Sequence, residues 1–305
     1  MIADGPEQAH EPTAEVRGAG TYLERLGARS KATGTVLCLG LDPDPDALPP
    51  GFGHDLAGVE RFATLLLEAA LPWAAAVKPN LAFFEAYGSA GVAVLERLRA
   101  AVPADVPVIA DAKRGDIGST AARLATAIFD ELGADAVTVN PYLGAEAVAP
   151  LLERADRFAY LLCRTSNPGA GEIQDLVVAA DPATDRPAEP LHARVARLVA
   201  GWGPGGTVGL VVGATAPGEL ARIRAIAPGL PFLVPGVGAQ GGALEPVLEH
   251  GPTQASPTIG QPGRGLLVNV SRGIAGGAAG IGREDPFDRI RAAAAEWGKR
   301  LPVLP

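Results

Sequence analysis

The feature that most constrains the fold is an eightfold alternation. Short runs rich in Val, Leu and Ile recur along the 305-residue chain, and stretches of helical period separate them. The runs are Thr35–Leu41, Ala74–Val77, Val106–Ala110, Ala136–Val139, Phe158–Cys163, Thr207–Val212, Pro231–Val234 and Gly265–Val270. Most are continuously apolar rather than alternating, the mark of parallel strands covered on both faces. The amphipathic stretches are Asp55–Ala70, Glu85–Ala101, Ser119–Leu132, Ala145–Arg154, Leu191–Ala200, Pro217–Ile226 and Gly242–His250, with Pro286–Lys299 closing the chain. Eight strand–helix repeats predict a single-domain α/β fold, a TIM (β/α)8 barrel. An open doubly wound sheet is the alternative, but eight repeats in one chain fit closure better.

Two stretches interrupt the repeat: Gly169–Pro190 after the fifth run and Gly251–Arg264 before the eighth. Both read as long loops, which in compact domains are often functional or mobile. Residues 1–21 read as a flexible N-terminal extension and 22–305 as the catalytic barrel, with a short helix from about Tyr22 placed to plug the barrel floor. Met1 to Gly18 is acidic and polar and lacks the apolar segment of a signal peptide. No run reaches the roughly 18–20 apolar residues that cross a bilayer, so the expectation is a cytoplasmic protein without membrane contact.

The formal net charge of −8 comes with no basic block, which argues against a nucleic-acid partner. Cys38 and Cys163 sit inside apolar runs and read as reduced, buried small residues. The four histidines, at 10, 54, 192 and 250, show no metal-ligand spacing.

Scarcity is more informative. Lysine occurs only at 31, 78, 113 and 299, and asparagine only at 80, 140, 167 and 269. These residues gather where strands end: Asp42 after the first, Lys78 and Asn80 at the second, Asp111 and Lys113 at the third, Asn140 at the fourth, Ser166 and Asn167 at the fifth, and Asn269, Ser271 and Arg272 at the eighth. In a barrel all these ends share the face that carries active sites. Asp, Asn and Ser there also cap the following helix, but capping does not account for lysines at the ends of two adjacent strands.

The densest segment runs Ile109-Ala-Asp-Ala-Lys-Arg-Gly-Asp-Ile-Gly-Ser-Thr120. Asp111 and Lys113 are two apart on a strand and so face the same way. Apolar neighbours predict poor solvation for both, and a purely structural buried pair is a weak stabiliser. Asp116 adds a second carboxylate beyond Gly115. Two carboxylates near one lysine keep the ammonium charged, which suits a proton donor rather than an imine-forming amine.

Asp-x-Lys-x-x-Asp-x-x-x-Thr after a third barrel strand resembles the signature of the orotidine monophosphate decarboxylase family. Gly-Leu-Asp at Asp42, Val-Lys-Pro-Asn at Lys78, Ser-Asn-Pro-Gly at Ser166, Pro-Gly-Val-Gly-Ala-Gln ending at Gln240 and Ser-Arg-Gly at Arg272 extend the match across the barrel. The two insertions are similar to those of the longer bacterial branch. The resemblance implies decarboxylation of a nucleotide, orotidine 5′-phosphate, with no cofactor and no metal. Lys113 would protonate pyrimidine C6, and Asp111 would lie against the substrate carboxylate. Asp42 and Lys78 would complete the charged array and hold the ribose hydroxyls, with Asn80 beside them. Ser166 would contact the pyrimidine, and Gln240, Arg272 and Gly273 the phosphate. Asp116 and Thr120 would come from the other subunit of a homodimer with shared sites. One departure stands out: Gly238 occupies a loop position where many members carry a basic residue.

Sister enzymes on the same scaffold, magnesium-dependent sugar-phosphate decarboxylases and synthases, share Asp-x-Lys-x-x-Asp. They place an acidic metal ligand near the second strand end, where this chain has Lys78, and a cation there repels magnesium. A catalytically silent barrel is the other alternative, but every charged residue that the chemistry needs is present.

Overall fold

The computed structural model describes residues 20–279 and 285–304. Eight parallel strands form the barrel: Leu37–Leu41, Ala76–Pro79, Ile109–Arg114, Ala136–Val139, Phe158–Arg164, Val208–Val212, Phe232–Val234 and Leu267–Val270. Their order around the sheet is second, first, eighth, seventh, sixth, fifth, fourth, third. Two parallel bridges, Val77 to Val108 and Asn80 to Asp111, join the second strand to the third and close the ring. The first, second, fourth, sixth and seventh strands are buried at every position. That is why they read as unbroken apolar runs. Exposure enters only toward the carboxyl ends of the third, fifth and eighth.

Two cores result. The larger lies between strands and outer helices. The smaller fills the barrel's lower interior with Tyr22, Leu26, Ile109, Phe158, Tyr160 and their neighbours. Tyr22 belongs to the helix Tyr22–Thr33, which Thr21 and Glu24 start with a reciprocal capping box and Gly34 ends in the left-handed conformation, φ 71°. Its ring stacks on Phe158 at 4.8 Å between centroids, and its hydroxyl meets that of Tyr160 at 3.2 Å. The helix therefore plugs the floor. The extension expected before it lies, through residue 19, outside the described residues.

Two helices differ from expectation. Glu85–Ala101 divides into Ala82–Glu85 and Gly88–Ala101, because Gly88 adopts φ 62° at the junction. Ser119–Leu132 becomes an α-helix, Gly118–Ala125, that widens into a π turn over Thr126–Glu131.

The two insertions part company. Residues 169–190 fold at the mouth as a short helix, Gly171–Gln174, and a two-residue antiparallel pair, Val177–Val178 with Glu189–Pro190. Residues 251–264 pack at the floor, and none of them borders the cleft described below. Buried Arg224 anchors them: its guanidinium donates to the carbonyls of His250, Gly251, Ala227, Pro228 and Leu230 and lies 3.6 Å over the Phe232 ring. The two loops thus lie at opposite ends of the barrel. Position in the repeat decides: a loop after a strand reaches the mouth, and one before a strand reaches the floor.

Candidate active site

A cleft of about 800 Å³ opens at the carboxyl ends of the strands. Asp42, Lys78, Asn80, Asp111, Lys113, Ser166, Gln240, Arg272 and Gly273 all border it. Nine residues from six strand ends thus converge, as the strand-end pattern requires. Asp116 and Thr120 do not line it: Asp116 accepts a hydrogen bond from the Ile117 N–H, and Thr120 is exposed on the outside. Asn140 takes the capping role, accepting from the Tyr142 N–H at 3.0 Å.

The centre is a carboxylate between two ammonium groups. Asp111 Oδ1 accepts from Lys113 Nζ at 2.5 Å, and Lys78 Nζ donates to Oδ2. The Lys78 and Asp111 side chains are 5% and 9% exposed, whereas that of Lys113 is 50% exposed. Only half of the expected pair is therefore poorly solvated. The cause is local. The third strand bulges between Ala110 and Arg114, and Lys113 takes φ 49°, which for a non-glycine residue costs on the order of 1–3 kcal/mol. The bulge lifts the ammonium toward the opening while Asp111 stays below.

Electrostatics hold the array charged. Burial alone would push the Lys78 ammonium down, but the Asp111 and Asp42 carboxylates outweigh it and keep Lys78 above its usual value. Burial likewise opposes ionisation of Asp111, yet Lys78 and Lys113 hold its carboxyl well below the usual carboxylate range. A fixed anion and two cations thus face the cleft, the less buried cation, Lys113, standing nearer the opening.

Across the cleft, Ser166 Oγ donates to Gln240 Oε1 at 2.9 Å and ties the fifth-strand loop to the seventh. Gly236 allows that approach, because a Cβ there would stand 2.8 Å from Ser166 Cβ. The mouth insertion braces this side: Gln174 exchanges hydrogen bonds with Thr165, and Asp175 pairs with Arg164. Arg272 is exposed at the rim and forms no ion pair with a described residue. Beside it, Trp297 Nε1 donates to the Gly273 carbonyl at 3.2 Å. Gly238 adopts φ 83°, and a Cβ there would come 3.1 Å from the Trp297 ring. The conformation and the tryptophan together account for glycine at this position. An exposed guanidinium beside a glycine-rich turn suits an anionic group such as phosphate.

Sequence reasoning missed Thr138, whose hydroxyl donates to Asp111 Oδ1 at 2.9 Å and accepts from the Lys113 N–H at 3.0 Å. It also missed the apolar wall formed by Leu48, Phe62 and Phe83, and Gln174 from the insertion. The one available signal was a hydroxyl in an otherwise apolar strand. Among the described residues no three His, Cys, Asp or Glu side chains gather in a way that could hold a metal ion. Nor is any described helix long and apolar enough to cross a membrane.

Residues 35–279 match the family described as orotidine 5′-phosphate decarboxylase / HUMPS. An orotidine 5′-phosphate decarboxylase of Herpetosiphon aurantiacus is 45% identical over 254 residues, 83% of this chain and 88% of the relative. The solved Leishmania donovani OMP decarboxylase superposes with TM-score 0.73 at 40% identity, covering 91% of this chain and 95% of that one. The UMP synthase of the same organism gives TM-score 0.76 at 41% identity; 92% of this chain is covered, but only 56% of the synthase.

Proposed function

Because this chain belongs to the orotidine 5′-phosphate decarboxylase / HUMPS family, we propose that the mouth of its barrel converts orotidine 5′-phosphate to uridine 5′-phosphate and carbon dioxide, a step of pyrimidine nucleotide synthesis. The observation that carries this reading is the Lys78–Asp111–Lys113 array, half-buried and half-open at the base of the cleft.

Asp111 lies against the substrate carboxylate, and its ionisation, secured by two lysines, sets like charge against like until the carboxylate departs. The C6–carboxylate bond breaks, leaving its electron pair at C6. Lys113 stabilises that pair electrostatically and then supplies the proton. Its half-exposed side chain is the one that can follow the reacting carbon. Lys78 keeps the array charged and, with Asp42 and Asn80, takes the ribose hydroxyls. Ser166 reads the pyrimidine side, and Gln240, which accepts from its hydroxyl, takes the phosphate together with Arg272 and the turn at Gly273.

The reading includes a homodimer working in the cytoplasm, with Asp116 and Thr120 reaching the partner's cleft. Their position outside this chain's own cleft supports that role. No cofactor or metal enters the scheme.

The test is loss of the orotate chromophore on incubation with orotidine 5′-phosphate, with and without EDTA. Equal rates are expected in both. Loss of activity in EDTA with rescue by magnesium would move the chain to the sugar-phosphate branch. For shared sites, inactive Lys113→Ala and Asp116→Ala variants are mixed after reversible dissociation. About a quarter of wild-type activity should return, since about half the dimers are mixed and each holds one intact site. No recovery in confirmed mixed dimers would assign Asp116 to its own chain's site.

A further inference from the structure

We infer that Thr138 is a positioning residue for the decarboxylation, its hydroxyl fixing Asp111 and Lys113 relative to one another across the bulge of the third strand. The inference rests on the reading of the cleft as a decarboxylase site.

The register shows why such a residue is needed. Ala110 pairs with Val137, and the next paired residue of the third strand is Arg114, with Val139. Asp111, Ala112 and Lys113 therefore stand against Thr138 alone. A bulge of this kind takes backbone groups out of the ladder, and a buried N–H without an acceptor is unfavourable. The Lys113 N–H finds its acceptor in Thr138 Oγ1 at 3.0 Å. The same oxygen donates its proton to Asp111 Oδ1 at 2.9 Å, the oxygen that also takes Lys113 Nζ. One hydroxyl, on a residue 2% exposed, thus contacts the backbone of the lysine and the carboxylate of the aspartate.

Only a group that donates and accepts at one atom can do both. Valine matches threonine in shape and does neither. The left-handed conformation of Lys113 persists only where its surroundings over-determine it, and Thr138 is the side chain opposite. Without the hydroxyl, Lys113 would relax from φ 49° and its ammonium would leave the position facing the cleft. The rim around Arg272 and Gln240 would be untouched, because Thr138 sits at the base.

The experiment compares Thr138→Val, Thr138→Ser and wild type for kcat and KM on orotidine 5′-phosphate and for the dissociation constant of uridine 5′-phosphate. Displacement by about an ångström of a reacting group costs on the order of 100-fold, so the valine variant should lose about that much in kcat. KM and product affinity should stay within about threefold, since neither depends on the lysine's position. Serine, which keeps the hydroxyl, should restore kcat to within about fivefold of wild type. A valine variant with kcat within threefold of wild type overturns the inference, as does a serine variant as impaired as valine. Should the valine variant not fold by circular dichroism, the alanine and serine variants decide by the same criterion: equal kcat overturns, recovery by serine alone supports. Wild type that leaves the nucleotide unchanged refutes the functional reading itself, which separates that failure from this one.

Discussion

The two ends of the barrel obey different rules. At the floor, Tyr22, Phe158 and Tyr160 pack ring on ring, Arg25 pairs with Asp135 at 3.0 Å, and Arg224 spends its donors on backbone carbonyls. At the mouth, two ammonium groups share one carboxylate, a lysine holds a left-handed conformation, and an arginine stands exposed without an ion pair to a described residue. The floor lowers the energy of the fold. The mouth stores charge and strain that the fold must support, the pattern expected where a site rather than a core is being built. Damage to the floor should therefore register in stability and damage to the mouth in catalysis.

Lys78 is the position where the two rules meet, so Lys78→Met should have the largest effect. It removes a charge from the array and leaves Asp111 buried beside one half-exposed partner. Breaking a buried pair from one side costs about 3–5 kcal/mol. Denaturant titration should show that loss, and turnover should vanish with it. A Lys78→Met protein of wild-type stability would show that the pair is not buried as described.

Phe158→Ala isolates the floor. Deleting a fully buried ring costs about 3–5 kcal/mol. Unfolding midpoints should fall accordingly while kcat, measured well below the midpoint, stays within about threefold of wild type. A large fall in kcat at unchanged stability would mean that the floor is coupled to the cleft.

Arg272→Ala isolates the rim. Remote binding energy can be used to close the site around the transition state, so kcat/KM should fall by about 2–3 kcal/mol, roughly 100-fold. The melting temperature should not move. Unchanged efficiency would place the phosphate elsewhere.

The smallest effect is that of acid. Asp111 is held below its unfolded value, near 4. A depressed carboxylate contributes stability that is fully present above the unfolded value and is lost as pH falls from there toward the folded one. Thermal melts should therefore lose less below about pH 4 for Asp111→Asn than for wild type. Parallel curves would contradict the depressed value.

The difference between the ends also explains what the sequence disclosed. Parallel strands buried on both faces leave an unbroken apolar trace, so the barrel and its order were legible, and so was a helix at Tyr22. Lysines at 78 and 113 were legible because they are rare and sit at strand ends. The bulge at the third strand was not, since Ala-Asp-Ala-Lys carries no glycine or proline to announce it. Thr138 was not, because a β-branched residue in a strand reads as filler until its hydroxyl partners are seen. The mouth insertion was visible as a loop, but its clamp through Gln174, Asp175 and Arg164 depends on contacts that no spacing encodes.

Lys113→Ala tests the central claim most directly, because this side chain carries the proposed chemistry and is half-exposed, so its removal leaves the core intact. Decarboxylation of orotidine 5′-phosphate should be followed at saturating substrate, in EDTA, beside wild type. A general acid that also stabilises the carbanion accounts for about 10⁴-fold or more. The account predicts a loss of that size, with unchanged melting temperature and undiminished binding of uridine 5′-phosphate. Turnover within tenfold of wild type in the same folded protein would contradict it.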